Sequence, residues 1–175
     1  RWYNPADVTK VIAALVADLS NLRPAQTATF RTQASNYETT ALSEYHGFIS
    51  SIRSTYGGTP VGASESIFSM LAPALGLRVI TPPSFLKAVS EGADVSSADK
   101  SLIDRQIRDH LIKVYIYNRQ NATPDIQAQL AECRRAGIPT ATITETLAPA
   151  SASYQDWQVA QLRGIETALA RGAGP

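Results

Sequence analysis

Residues 112–143 read IKVYIYNRQNATPDIQAQLAECRRAGIPTATI, and this stretch decides the fold. An apolar run from Ile112 to Tyr117 is followed by Thr123-Pro124-Asp125, which supply a cap and a first-turn proline for a helix. That helix closes at Gly137, a residue type favoured just past a helix end. A second apolar run, Ile138 to Ile143, comes next. Both runs are apolar on both parities instead of alternating, as strands of a parallel sheet covered on both faces should be. Working upstream, Thr59 to Ala63 and Leu77 to Ile80 repeat the pattern. Helices fill the gaps: Ser66 to Leu75 closed by Gly76, a short helix between the loops Thr81-Pro82-Pro83 and Glu91-Gly92-Ala93-Asp94, and Ser97 to His110. Ser153-Tyr154-Gln155-Asp156 opens a last helix that runs to about Arg171. The expected fold is α/β: a four-stranded parallel sheet, order 2-1-3-4, with helices on both faces.

Two helices precede this series. Asn4-Pro5 caps the first, whose apolar residues Val8, Ile12, Leu15, Val16, Leu19 and Leu22 recur at helical spacing. Pro24 restarts the chain. From Ala25 to Thr55 there is no proline, and Gly47 is the only glycine. Phe30, Ala34, Tyr37, Tyr45, Phe48, Ile49, Ile52 and Tyr56 form one stripe, which predicts a nearly continuous helix roughly 45 Å long. A domain of this size is narrower than that, so the rod is expected to project past its own lobe or lie along it, with part of its stripe under-buried. The chain divides into 1–56, an amino-terminal helix and a long linker helix, and 57–175, an α/β lobe.

Composition narrows the function. The 175 residues suit one well-buried domain, and 44% hydrophobic with 18% charged content is globular. Sixteen basic against fifteen acidic side chains leave +1, with no Lys/Arg cluster, so neither nucleic acid nor an anionic membrane surface is the implied partner. Cys133 is the only cysteine, which excludes an internal disulfide and a cysteine-only metal site. The chain opens at Arg1 inside a structured segment, as a processed or truncated product would.

In parallel sheets ligands sit outside the carboxyl ends of the strands, which singles out Ser64-Glu65, Asn118 to Asn121 and Thr144-Glu145. No phosphate-binding glycine motif follows a strand. Gly62-Ala63-Ser64-Glu65-Ser66 approaches the Gly-x-Ser-x-Gly elbow of serine hydrolases, with His110 downstream. However, Ser66 stands where the turn needs glycine. His110 ends a helix that leads into a strand, at the sheet edge opposite Ser64, a strand length of about 17 Å away. Ser64 reads more simply as a helix N-cap. Glu65 and Glu145 each follow an apolar strand. Spacing alone favours a helix-dipole acid for Glu65 and a solvated loop acid for Glu145. As oxygen donors from separate strands the two suit a divalent cation, though a tight site needs four or more ligands.

At these residues the sequence resembles the zinc/manganese ABC-transporter solute-binding proteins. Trp2-Tyr3-Asn4-Pro5, Gly62-Ala63-Ser64-Glu65-Ser66-Ile67-Phe68, Tyr117-Asn118-Arg119-Gln120-Asn121-Ala122-Thr123-Pro124, Thr144-Glu145-Thr146-Leu147 and Tyr154-Gln155-Asp156-Trp157 stand in the family's order. The resemblance implies the carboxyl-terminal lobe and linker helix of a two-lobed, extracytoplasmic or lipid-anchored receptor. Such a receptor holds Zn or Mn between its lobes and hands it to an ABC permease, without catalysis. The second-lobe metal ligands map onto Glu65 and Glu145, with Asn118 to Asn121 around them. The family's His-x-Trp-x-x-Pro signature implies a ligand His directly before Arg1, and the partner first lobe lies upstream of this chain. The isolated chain is therefore expected to bind metal weakly. A small serine hydrolase using Ser64 and a lobe for an organic solute are the alternatives.

Overall fold

The structure, a computed structural model, describes residues 2–173; Arg1 and Gly174-Pro175, the outer ends of the two expected regions, lie outside the described residues. Helix α1 (Pro5–Leu22) begins where Asn4 Oδ1 accepts the N–H of Ala6 at 3.0 Å, with Pro5 in the first turn. None of its residues is buried, and Val11, Leu15 and Leu22 are 57%, 55% and 77% exposed. A groove of about 880 Å³ runs along this face, lined by Val8, Val11, Leu15, Leu19, Phe30 and Tyr37 among others.

The long helical stretch is helical almost throughout, but it is not one α-helix. A 3₁₀ turn (Pro24–Gln26) leads into α2 (Thr27–Asn36), a π-helical turn (Tyr37–Ala41), the single turn residue Leu42, and α3 (Ser43–Tyr56). The stripe explains the interruption. One row of its buried and half-buried positions (Phe30, Ala34, Tyr37, Ala41, Tyr45, Phe48, Ile52 and Tyr56), with the buried Leu42 beside it, spreads 26 residues over seven turns. At 3.6 residues per turn, seven α-helical turns hold nearly one residue fewer. A π turn absorbs the surplus residue and keeps the stripe on one side. Gly47 causes no break. Burial changes at the same point: α2 buries nothing, whereas Leu42, Tyr45 and Ile52 enter the core.

Four parallel strands follow, β1 (Pro60–Ala63), β2 (Arg78–Val79), β3 (Val114–Asn118) and β4 (Thr140–Ile143), in the order β2-β1-β3-β4. Between them lie α4 (Ser66–Leu71), α5 (Pro83–Ser90), α6 (Ser97–Arg108) and α7 (Pro124–Ala136), and α8 (Tyr154–Gly172) closes the chain. β1 and β3 are the central strands, buried throughout but for the half-buried Pro60 and Tyr117. On one face Tyr115 hydrogen-bonds Gln129 of α7; on the other Val114 meets the end of α8 at Gly172. Helices therefore cover both faces of the centre. The edge strand β4 departs from the expected two-sided burial: Ala141 and Ile143 are buried, but Thr140 and Thr142 are exposed. An edge strand can leave one face in water, and its threonines suit that position.

Three of the caps read from sequence are in place. Thr123 Oγ1 and Ser153 Oγ accept the N–H groups of Ile126 and Asp156, and Gly137 ends α7 at φ 69°. Burial pushes the Cys133 thiol up to about 12, so it behaves as an inert apolar core residue.

Gly62 lies opposite Tyr115 in the β1–β3 register. A Cβ there would lie 2.7 Å from Tyr115 Cδ2 and 2.9 Å from Ile112 Cδ1. Gly62→Ala is expected to cost about 1–3 kcal/mol through overpacking, read as a lower urea midpoint at unchanged m. Burial also holds the Tyr115 hydroxyl well above its ordinary value of 10.0. The unfolded phenol ionises first, so stability is whole below about pH 10 and falls as pH rises beyond it. A pH series of denaturation curves should show that alkaline loss, and Tyr115→Phe should reduce its steepness.

Candidate metal centre

The site is built where the strands end. Ser64 and Glu65 follow β1 directly, with Glu65 in extended backbone at φ −151°, ψ 160°. Ser64 is not the helix cap expected of it. Glu65 occupies the cap position of α4 and makes no side-chain capping bond. Ser64, 1% exposed, instead accepts the backbone N–H of Asn118 at 3.0 Å through Oγ, while its own N–H donates to the Ile116 carbonyl at 2.9 Å. The hydroxyl thus continues the β1–β3 ladder past its last regular pair. His110 lies beyond α6 and before β3, at the opposite edge, so the structure does not bring it to Ser64.

Glu65 and Glu145 are brought together. Asn118 Nδ2 donates to Glu65 Oε2 at 2.6 Å and to Glu145 Oε1 at 2.8 Å. The two carboxylate oxygens are thus no farther apart than these two bonds end to end. Asn121 Nδ2 donates to the other Glu65 oxygen, Oε1. Glu65 is 3% exposed, and an ionised carboxyl at such depth requires these donors. Glu145 is exposed. The Asn118 amide is itself oriented, because its Oδ1 accepts the N–H of Gln120 at 2.9 Å. Gln120 in turn holds the β4 loop: its Oε1 accepts the N–H groups of Glu145 at 2.8 Å and Thr146 at 3.1 Å. Of the residues around the two acids, Asn118, Gln120 and Asn121 all take part.

Beneath Glu145 lies a second network that sequence reasoning missed in part. Gln161 Oε1 accepts the Thr144 N–H at 2.7 Å and the Tyr3 hydroxyl at 2.7 Å. The Trp157 indole donates to Thr144 Oγ1 at 2.8 Å. The Trp2 indole donates to the Glu145 carbonyl at 3.1 Å, and the Tyr154 hydroxyl to the Trp2 carbonyl at 2.9 Å. Gln161 carried one signal: a polar residue on the apolar face of a helix, where a buried amide must find a partner.

Chemically, the edge presents two oxygen donors on a common amide. Among the described residues no group of three or more His, Cys, Asp or Glu side chains is placed to hold a metal ion. Two hard oxygen ligands leave most of a divalent cation's shell to be filled from elsewhere.

Sheet, rod and polar edge make an α/β lobe whose candidate groups lie where parallel sheets place ligands. The family model for the periplasmic zinc-uptake complex component A matches residues 1–168, and the chain belongs to that family. Among solved structures, a manganese-bound mutant of a periplasmic metal-binding protein from Candidatus Liberibacter asiaticus superposes with a TM-score of 0.73 at 16% identity, over 96% of this chain and 62% of that one. The cadmium-bound form of the same protein gives 0.72 at 16% identity, over 96% and 62%. The solute-binding protein FpvC from P. aeruginosa, in complex with Ni²⁺, gives 0.66 at 14% identity, over 92% and 58%. At these identities the likeness is one of fold, and the chain spans about three-fifths of the length of these relatives. No curated protein matches the chain.

Gln161→Leu is expected to destabilise the protein by about 1 kcal/mol, because the buried Thr144 N–H loses its 2.7 Å acceptor and keeps only the longer 3.2 Å contact to the Tyr3 hydroxyl. Urea denaturation checks the size, and the near-ultraviolet signal of Trp157 and Tyr3 should change with it.

Proposed function

We propose that this chain supplies the second lobe and the linker helix of an extracytoplasmic receptor for an ABC importer, with 1–56 as the two leading helices and 57–175 as the lobe. The receptor captures a divalent transition metal, Zn or Mn, as cargo and delivers it to the permease; it catalyses no reaction. The observation that carries this reading is the convergence of Glu65 and Glu145, from β1 and β4, on the single amide of Asn118. The metals named for the structural relatives (Mn, Cd and Ni) support a divalent cation.

In this reading Glu65 and Glu145 are ionised oxygen ligands, and the remaining donors come from the rest of the receptor. The Trp2 indole bond to the Glu145 carbonyl ties the start of α1 to the same edge. The exposed apolar face of α1 suits coverage by a further lobe, in keeping with relatives longer than this chain. Among the described residues no helix is long and apolar enough to cross a membrane.

Calorimetry on the full-length protein tests the reading. Glu65→Ala and Glu145→Ala should each weaken Mn or Zn binding by about 100-fold or more, above the 10–100-fold range of outer-shell changes. The isolated chain should bind the same ions weakly. Wild-type affinity in both alanine variants would overturn the assignment of ligands.

A further inference from the structure

Asn118 has more than one claim on its position. Its side chain is fully buried at the end of the central strand β3. Its backbone N–H is taken by Ser64 Oγ, and its Oδ1 by the Gln120 N–H. With both ends fixed, the amide cannot turn over. Its nitrogen has two hydrogens, and the structure points one at each carboxylate. Among the described residues no other side chain hydrogen-bonds both carboxylates, and Asn121 reaches only that of Glu65.

We infer that Asn118 is a positioning residue that sets the span between the two carboxylates and thereby tunes which divalent cation the site prefers. The inference rests on the ligand reading above. A carboxylate oxygen that accepts one amide hydrogen keeps a lone pair for a metal, so the bridge persists beside a bound ion. It opposes the mutual repulsion of two like charges and limits how far either acid swings. Sites override the intrinsic rise in affinity from Mn²⁺ to Ni²⁺ by geometry and ligand rigidity. Carboxylates freed from a common amide adapt to any cation, and the intrinsic order returns. Asn118 touches no metal in this scheme; it acts through Glu65 and Glu145.

The test measures manganese and nickel dissociation constants on full-length protein by competition calorimetry. In Asn118→Ala the manganese affinity should fall by about 10-fold or more, and the nickel-over-manganese preference should rise because nickel loses less. General loss of structure lowers both affinities together and leaves their ratio alone, so the ratio is the deciding readout. Should the alanine variant fail to fold, Asn118→Leu retains the side-chain shape without its donors and is expected to show the same change in ratio. An unchanged ratio in a folded variant overturns the inference, whether or not both affinities fall. Glu65→Gln and Glu145→Gln separate the two ideas. If they bind as wild type, the ligand reading fails. If they lose binding while Asn118 variants keep the wild-type ratio, only the role of Asn118 fails.

Discussion

Where the strands of a buried parallel sheet stop, their peptide groups remain buried and must still be hydrogen-bonded. That constraint organises the carboxyl edge of this protein. Thr81 Oγ1 accepts the N–H of Ala63 at 2.9 Å, Ser64 Oγ that of Asn118, and Gln161 Oε1 that of Thr144. Gln120 does the same for Glu145 and Thr146. Each ladder is therefore finished by a side chain, and the side chains that finish them also fix the loops carrying the two acids. The same bonds that satisfy the backbone thus tie the loops of this edge to one another.

The same network draws distant parts of the chain together. Thr144 touches Tyr3 near the start and Trp157 and Gln161 on the last helix. Tyr3, Tyr154 and Trp157 pack edge to face around it, with ring centroids 5.8 Å apart for Tyr3–Trp157 and 6.1 Å for Tyr154–Trp157. Such aromatic pairs add specificity of orientation to simple burial. Trp2 is thus held at the edge that carries Glu145, a long-range consequence of a local need for hydrogen bonds.

The rod leading into the lobe obeys a different rule. A stripe that repeats slightly more slowly than an α-helix either drifts around the helix or inserts a residue. Here the π turn at Tyr37–Ala41 keeps the stripe in line, and it falls where the rod passes from the exposed α2 to the buried side of α3. Tyr37 stands at that junction and donates to Gln155 Oε1 at 3.2 Å, tying the rod to the start of the last helix.

Much of this was legible in the residues taken singly. Apolar runs with Thr123-Pro124 and Gly137 between them specify a strand, a capped helix and another strand through contacts a few residues apart. Because the strands run parallel, two acids that each directly follow a strand, Glu65 and Glu145, fall at one edge. Other features required the folded chain. Ser64 looked like a cap because capping preference is local, yet its hydroxyl serves a strand 54 residues away. The Asn118 bridge joins positions 53 and 27 residues distant, and the Trp2 bond spans 143. Side-chain hydrogen bonds at such separations leave no periodicity for a sequence to display. The sequence alone determined which elements form and which edge carries the acids. Only the tertiary structure decided which amide holds them, because that depends on where three strand ends meet.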